Sequence, residues 1–266
     1  MRIAGGILTR KRSSSGQIAD VLSQVCDDVV VISSQATCSH SSRNVTVVEQ
    51  ESKGEIGARN DIRNFAIDGD YDFLIMSDDD VMYKPSSLRR LVEVVDNNPN
   101  LGALALPDRV THFYNSRVKS NKPFVLFHVL PMIWCARVSV LKEIGSFMVN
   151  YAADLDYCAR LWKSGYAVGL LIEDIQETCT PMGVVNPSSR ISHSGGLQDD
   201  SNETNLKRAL AYISKNHSEV YRIERGYPGP GRNSYETIRN WPKMIKFCTD
   251  RFGLTMGYED SSGRKL

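Results

Sequence analysis

What this sequence lacks narrows its class quickly. No apolar run approaches the roughly 20 residues that a membrane-spanning helix needs. Met1-Arg2-Ile3 leads straight into a strand-like segment without the charged-then-apolar pattern of a signal peptide, so a soluble, cytoplasmic protein is expected. Neither sign of charge prevails: 32 Lys and Arg face 31 Asp and Glu, for a net charge of +1. That balance supplies no global field for nucleic acid or a membrane surface, though a local basic face stays open. The six cysteines, Cys26, Cys38, Cys135, Cys158, Cys179 and Cys248, are scattered and form no C-x-x-C pair. Zinc spacing is therefore absent, and reduced thiols in a cytosol-like compartment are the default. No internal repeat or low-complexity tract is present, and at 41% hydrophobic and 24% charged the composition excludes disordered and fibrous classes.

What is present reads as alternating strands and helices. Residues 3–9, 29–32 and 45–48 are short apolar strand candidates. A helical spacing over 17–26 and a helix over 54–66 fall between them and the next strand, the pattern of a mostly parallel α/β sheet. Pro85 opens a helix that runs to about Asp96, and residues 102–106 form a strand. Residues 109–122 read as a polar surface excursion, and 124–136 hold one or two strands. A helix over 153–164 is stopped by Gly165, and 166–172 is a further strand. Beyond residue 198 a helix over 206–217, an open Gly- and Pro-rich linker over 222–234 and a helical coda over 235–252 are expected. The division is a domain of 1–197 with an extension of 198–266 packed on the acceptor side.

One stretch organises the rest. Phe73-Leu74-Ile75-Met76 is a buried strand that ends abruptly in Asp78-Asp79-Asp80. Three like charges at the mouth of a sheet are costly unless a cation or solvent spreads them. Oxygen-only ligands suit hard ions such as Mg²⁺ or Mn²⁺, and in open α/β sheets ligands bind at the carboxyl ends of the strands.

Four motifs stand in order: Gly57-Ala58-Arg59-Asn60, Asp78-Asp79-Asp80, Ala153-Asp154-Leu155-Asp156 with Arg160-Leu161, and His193-Ser194-Gly195-Gly196. Together they resemble the inverting, family-2-like glycosyltransferases of GT-A fold, over roughly residues 3–196. The resemblance implies a metal-dependent transfer of sugar from a nucleotide-sugar donor, a UDP-sugar favoured, to an acceptor hydroxyl. Asp78 and Asp80 match the two aspartates of the family's D-x-D signature and would hold Mn²⁺ or Mg²⁺, with His193 as a third ligand or a phosphate contact. Asp79 would face sugar or solvent. Asp154 falls where the family keeps its catalytic base, with Asp156 the alternate because Ala153 replaces the usual glutamate. Either acid has another reading, as a helix N-terminal carboxylate favoured by the macrodipole. On the donor side the resemblance points to Thr9 and Arg10 after the first strand, Ser34 after the second, and Arg59. No acidic residue follows the second strand at Ser33-Ser34-Gln35, so the base of the nucleotide is left open.

The acceptor side is assigned to residues 109–134, including Trp134, and to the chain beyond Gly196. Basic residues such as Lys207, Arg208, Arg222 and Arg225 alternate there with Tyr221, Tyr227 and Trp241. Family acceptors include glycans and glycolipids. Basic residues with aromatics also suit a hydroxymethylated DNA base, as for a viral-type enzyme. A nucleotidyltransferase of similar fold and a non-catalytic nucleotide- or sugar-binding protein are the other two classes kept.

Overall fold

A computed structural model describes residues 1–9, 14–33, 40–49, 54–79, 81–106, 118–120, 122–126, 133–149, 153–172, 179–181, 200–220, 223–225, 236–238, 250 and 256–258. The first half alternates β1 (Ile3–Thr9), α1 (Ser14–Leu22), β2 (Asp28–Ser33), β3 (Val45–Glu49), α2 (Gly54–Asp68), β4 (Phe73–Asp78), β5 (Val81–Tyr83) and α3 (Pro85–Asp96). Next come β6 (Leu101–Ala105), β7 (Val118–Ser120), β8 (Phe124–Leu126), β9 (Ile133–Arg137), α4 (Val138–Ile144), α5 (Ala153–Lys163) and β10 (Ala167–Leu171). Then follow β11 (Cys179–Pro181), α6 (Asp200–Asn216), β12 (Ile223–Arg225), β13 (Glu236–Ile238) and β14 (Met256–Tyr258).

Eight strands form one sheet in the order β3-β2-β1-β4-β9-β6-β10-β8. β1, β2, β3, β4, β6 and β10 run one way; β8 and β9 run against them. The α/β fold with a mostly parallel sheet is as expected. β4 lies between β1 and β9, so both of its faces and both of its edges are covered. Phe73 to Ser77 are all buried, which explains why that stretch is apolar without alternation.

The strand order reverses at β1. The chain leaves β1 for β2 and β3 on one side, then returns to β4 on the other, and Leu8 pairs with Asp78 across the gap. A crevice at the carboxyl ends follows from that topology. Gly6 sets how close α2 approaches the crevice: a Cβ added there would lie 2.1 Å from Ile62 Cγ2. Ile62 is nearly one helical turn beyond Arg59, so the glycine also determines how deeply Arg59 enters the site.

Helix ends follow local rules. Pro85 occupies the first turn of α3, where a missing N–H costs nothing. α5 ends in a Schellman motif: Gly165, at φ 86°, donates to Trp162 O, and Tyr166 N donates to Leu161 O. Three expectations for the irregular regions are corrected. Residues 118–120 pair with β14, 223–225 form a strand in the expected linker, and 236–238 are its antiparallel partner rather than a helical start. Three-residue strands have no readable period, and their ladders are set by distant partners.

α6 joins the same core rather than standing off it, contributing Ala209 and Ile213 to the buried cluster. Among the described residues no helix is long and apolar enough to cross a membrane. Gly6→Ala is expected to cost about 1–3 kcal/mol through overpacking against Ile62. The check is a lowered urea midpoint at unchanged slope.

Candidate active site

The last residue of β4, Asp78, emerges at the crevice with 28% of its side chain exposed. Its backbone is held by a short relay in which Tyr83 Oη donates to Ser77 Oγ at 3.0 Å and Ser77 Oγ donates to the Asp78 carbonyl at 2.8 Å. Asp79, expected to face sugar or solvent, instead turns inward: it is buried and accepts a 2.7 Å hydrogen bond from Thr9 Oγ1. Asp79 is the first residue past the strand, and the turn it opens brings its carboxylate to the Thr9 hydroxyl at the end of β1. Thr9 and Asp79 thus tie β1 to β4 across the switch point, and the Thr9 hydroxyl is engaged inside the protein.

Arg59 lies at the centre. It projects from α2 with only 7% of its surface exposed. Its Nε bonds Glu55 Oε1 at 3.0 Å, its Nη1 is 3.6 Å from Asp154 Oδ1, and its Nη2 is 3.8 Å from Asp78 Oδ1. Burial works against the guanidinium's charge, but Asp154, Asp78 and Glu55 outweigh it and its pKa is raised. Arg59, expected on the donor side, here cross-links three elements. Glu55 was missed in the sequence, although its place four residues before Arg59 is the ordinary spacing of a helical ion pair. Asn60 also acts here: it brackets Phe147, donating from Nδ2 to the carbonyl at 3.0 Å and accepting from the N–H at 2.8 Å. The segment ahead of α5 is thereby tied to α2.

Both acids of α5 lie in its first turn, yet their surroundings differ completely. Asp154 is 30% exposed and meets Arg59. Asp156 is fully buried; its Oδ1 is 2.9 Å from His217 Nε2, and its Oδ2 accepts from Arg160 Nε at 3.0 Å and Nη2 at 2.9 Å. Arg160 continues to the carbonyls of Ile144 and Ser146. Trp134, expected on the acceptor side, is instead 1% exposed on β9 and packs in an aromatic cluster with Phe147 and Tyr157. Its neighbours in the ladder, Met76 and Ala105, belong to the central strands β4 and β6. Arg10, Ser34, Asp80 and His193 lie outside the described residues.

Among the described residues no three His, Cys, Asp or Glu side chains form a metal-binding group. The donor chemistry nonetheless fits a hard divalent ion, since Asp78 offers carboxylate oxygen and one guanidinium faces three carboxylates. β5, directly after the acidic triplet, pairs antiparallel with β11, Val81 opposite Pro181. Pro181, the last residue of β11, therefore lies beside the first residue of the strand that follows Asp80.

In open α/β sheets ligands bind in the crevice at the topological switch point, and the acidic end of β4 lies there. The sequence matches no protein-family model and no curated protein. Solved structures do match. A mannosyltransferase, PcManGT from Pyrobaculum calidifontis in complex with GDP-Man and Mn²⁺, aligns at a TM-score of 0.57 and 19% identity, covering 81% of this chain and 70% of that one. S. aureus TarS 1–349 with UDP-GlcNAc aligns at 0.47 and 14%, over 83% and 74%. A CMP:2-keto-3-deoxy-manno-octonic acid synthetase with CTP aligns at 0.47 and 15%, over 74% and 98%. The likeness to the mannosyltransferase shows the fold, which is of GT-A type.

Burial pushes the Asp154 carboxyl above its ordinary value; Arg59 opposes the shift and Glu55 adds to it. A carboxyl whose pKa is raised on folding adds stability below its unfolded value, about 3.9, and loses it as pH rises through the folded one. Asp154→Asn should therefore gain stability relative to wild type as pH climbs from about 4, and Arg59→Gln should extend that window upward. Urea unfolding at successive pH values checks this, and a difference that stays flat contradicts it. Asp156→Ala should behave otherwise, costing about 1–3 kcal/mol because it removes the hydrogen-bond acceptor of the buried His217 ring and one of the partners of the half-buried Arg160.

Proposed function

We propose that this protein is an inverting, metal-dependent glycosyltransferase that moves a sugar from a nucleotide-sugar donor to an acceptor hydroxyl. One observation carries the reading: two carboxylates from distant elements, Asp78 and Asp154, meet the same buried guanidinium at the carboxyl end of the sheet. Their meeting supports Asp78 as a ligand for the donor's metal and Asp154 as the base for the acceptor. The fold of a mannosyltransferase whose complex holds GDP-Man and Mn²⁺ supports it.

In this reading Asp154 is the catalytic base. Its carboxylate takes the proton of the acceptor hydroxyl as that oxygen attacks the anomeric carbon. The bond to the phosphate oxygen breaks with its electron pair, and the nucleoside diphosphate leaves. A carboxylate of raised pKa is a better proton acceptor, and Arg59 keeps it ionised while aiming it. Asp156, with both oxygens engaged in the interior, does not compete for the role. Asp78 and Asp80, with His193, would hold Mn²⁺ or Mg²⁺, whose charge would stabilise the diphosphate as it departs. The Thr9–Asp79 bond keeps the two strand ends in register beneath the donor, with Arg10 and Ser34 assigned to the nucleotide. The acceptor is a glycan or glycolipid, or a hydroxymethylated DNA base, bound on the side of the 198–266 extension.

Thermal shift with UDP-, GDP-, CMP- and dTDP-sugars, each with Mn²⁺, Mg²⁺ or EDTA, tests the donor site. One nucleotide should stabilise the protein in a metal-dependent way, by about 2.7 kcal/mol at a hundredfold excess over Kd. Asp78→Ala should abolish that shift, whereas Asp154→Asn should keep it and lower kcat by about 10²–10⁴. If no nucleotide shifts the melting temperature at millimolar concentration, the donor-site reading fails.

A further inference from the structure

The buried cluster beneath the candidate base has a purpose that the transfer reaction itself does not require. Asp154 and Asp156 are two residues apart in the first turn of α5, the part of a helix that lacks intrahelical acceptors for its N–H groups and frays most readily. Asp156 immobilises this turn through both oxygens. Arg160, one turn on in the same helix, binds one oxygen, and His217, at the end of α6, reaches the other from outside α5. A carboxylate has no hydrogen to give, so the imidazole Nε2 must carry the one in the 2.9 Å bond. Among the described residues the ring's other nitrogen, Nδ1, is buried without a hydrogen-bond partner. The bond to Asp156 is thus, among the described residues, the hydrogen bond that holds the ring. Its ring is 4% exposed, and Tyr212 lies edge-on to it at 6.0 Å.

We infer that His217 is a positioning residue: it docks α6 onto α5 through Asp156 and thereby sets where Asp154 stands. The inference rests on the glycosyltransferase reading only for the consequence to turnover. The docking itself stands on the geometry. Ala209 and Ile213 bury the apolar face of α6 in the common core, and at the exposed rim Lys163 Nζ bonds the Asn216 carbonyl. Neither of those contacts reaches an oxygen of the α5 first turn; His217 does. A displacement of about 1 Å at the reacting group can cost about a hundredfold in rate. A helix in the C-terminal extension would in this way control a base that the chain reaches some sixty residues earlier, at |i−j| = 61 for the His217–Asp156 pair.

Amide hydrogen exchange of the full chain tests the docking without any donor or acceptor. In His217→Ala, protection of the 157–160 N–H groups, which donate to the carbonyls of the first turn, should fall while protection of β4 persists. Lys163→Ala, which removes the rim contacts to the Asn216 carbonyl and to Glu219, should leave 157–160 as in wild type. His217→Gln, whose amide reaches the place of Nε2, should restore protection, and the shorter His217→Asn should not. That last pair decides the matter if His217→Ala fails to fold. Unchanged exchange at 157–160 in His217→Ala, or equal behaviour of the Gln and Asn variants, overturns the inference. With a donor identified, His217→Ala should lower kcat by up to about a hundredfold with donor KM unchanged, and His217→Gln should recover it. A weakened donor KM with unchanged kcat would refute positioning of the base. Wild-type protein that transfers no sugar from any donor would remove the catalytic consequence and the glycosyltransferase reading together, while exchange would still decide the docking.

Discussion

The buried guanidinium of Arg59 is the constraint on which the site depends. A charge removed from water must be compensated on the spot, and here the compensation comes from three carboxylates on α2, β4 and α5. Each of those carboxylates is in turn held near another negative group only because the cation stands between them. The arrangement therefore does two things at once. It closes the space between the central strand and two helices, and among the described residues it gathers three carboxylates around one guanidinium.

Around this centre the fold supplies rigidity at different depths. The Thr9–Asp79 bond joins the two strands at the switch point, and Gly6 lets α2 lie directly on β1. Asn60 and Arg160 tie the segment ahead of α5 from two sides. Under it the rings of Phe147 and Tyr157 stack 4.3 Å apart, with Trp134 beside them. Burial raises the pKa of Asp154, while its neighbour Asp156 has both oxygens engaged in the interior. One turn of helix thus carries both the acid that faces Arg59 and a buried carboxylate that ties the turn to Arg160 and His217.

Much of this was legible beforehand where a long pattern or an ordinary spacing existed. The strand ending in Asp78, the helix carrying Arg59 and the helix stopped by Gly165 were readable from apolar runs and end signals. The choice between Asp154 and Asp156 was not, because two acids in one helical turn look alike until their partners are known. Trp134 and Asp79 were misplaced for a related reason. An aromatic near a cleft or an acid in a triplet says nothing about which way the side chain turns; the packing around β9 decided the first and the bond to Thr9 the second.

The sequence by itself determined the periodic elements, the α/β class of the sheet and the order of its acidic motifs, because these follow from local spacing and from where apolar runs stop. Only the tertiary structure decided that Arg59 bridges Asp78 and Asp154, that Asp156 belongs to the interior, and that His217 reaches it from α6. Those contacts join residues up to 95 positions apart (Arg59 to Asp154). No local periodicity encodes such pairs; they form because the strand order reverses beside β4 and the helices then pack against the same two faces of the sheet.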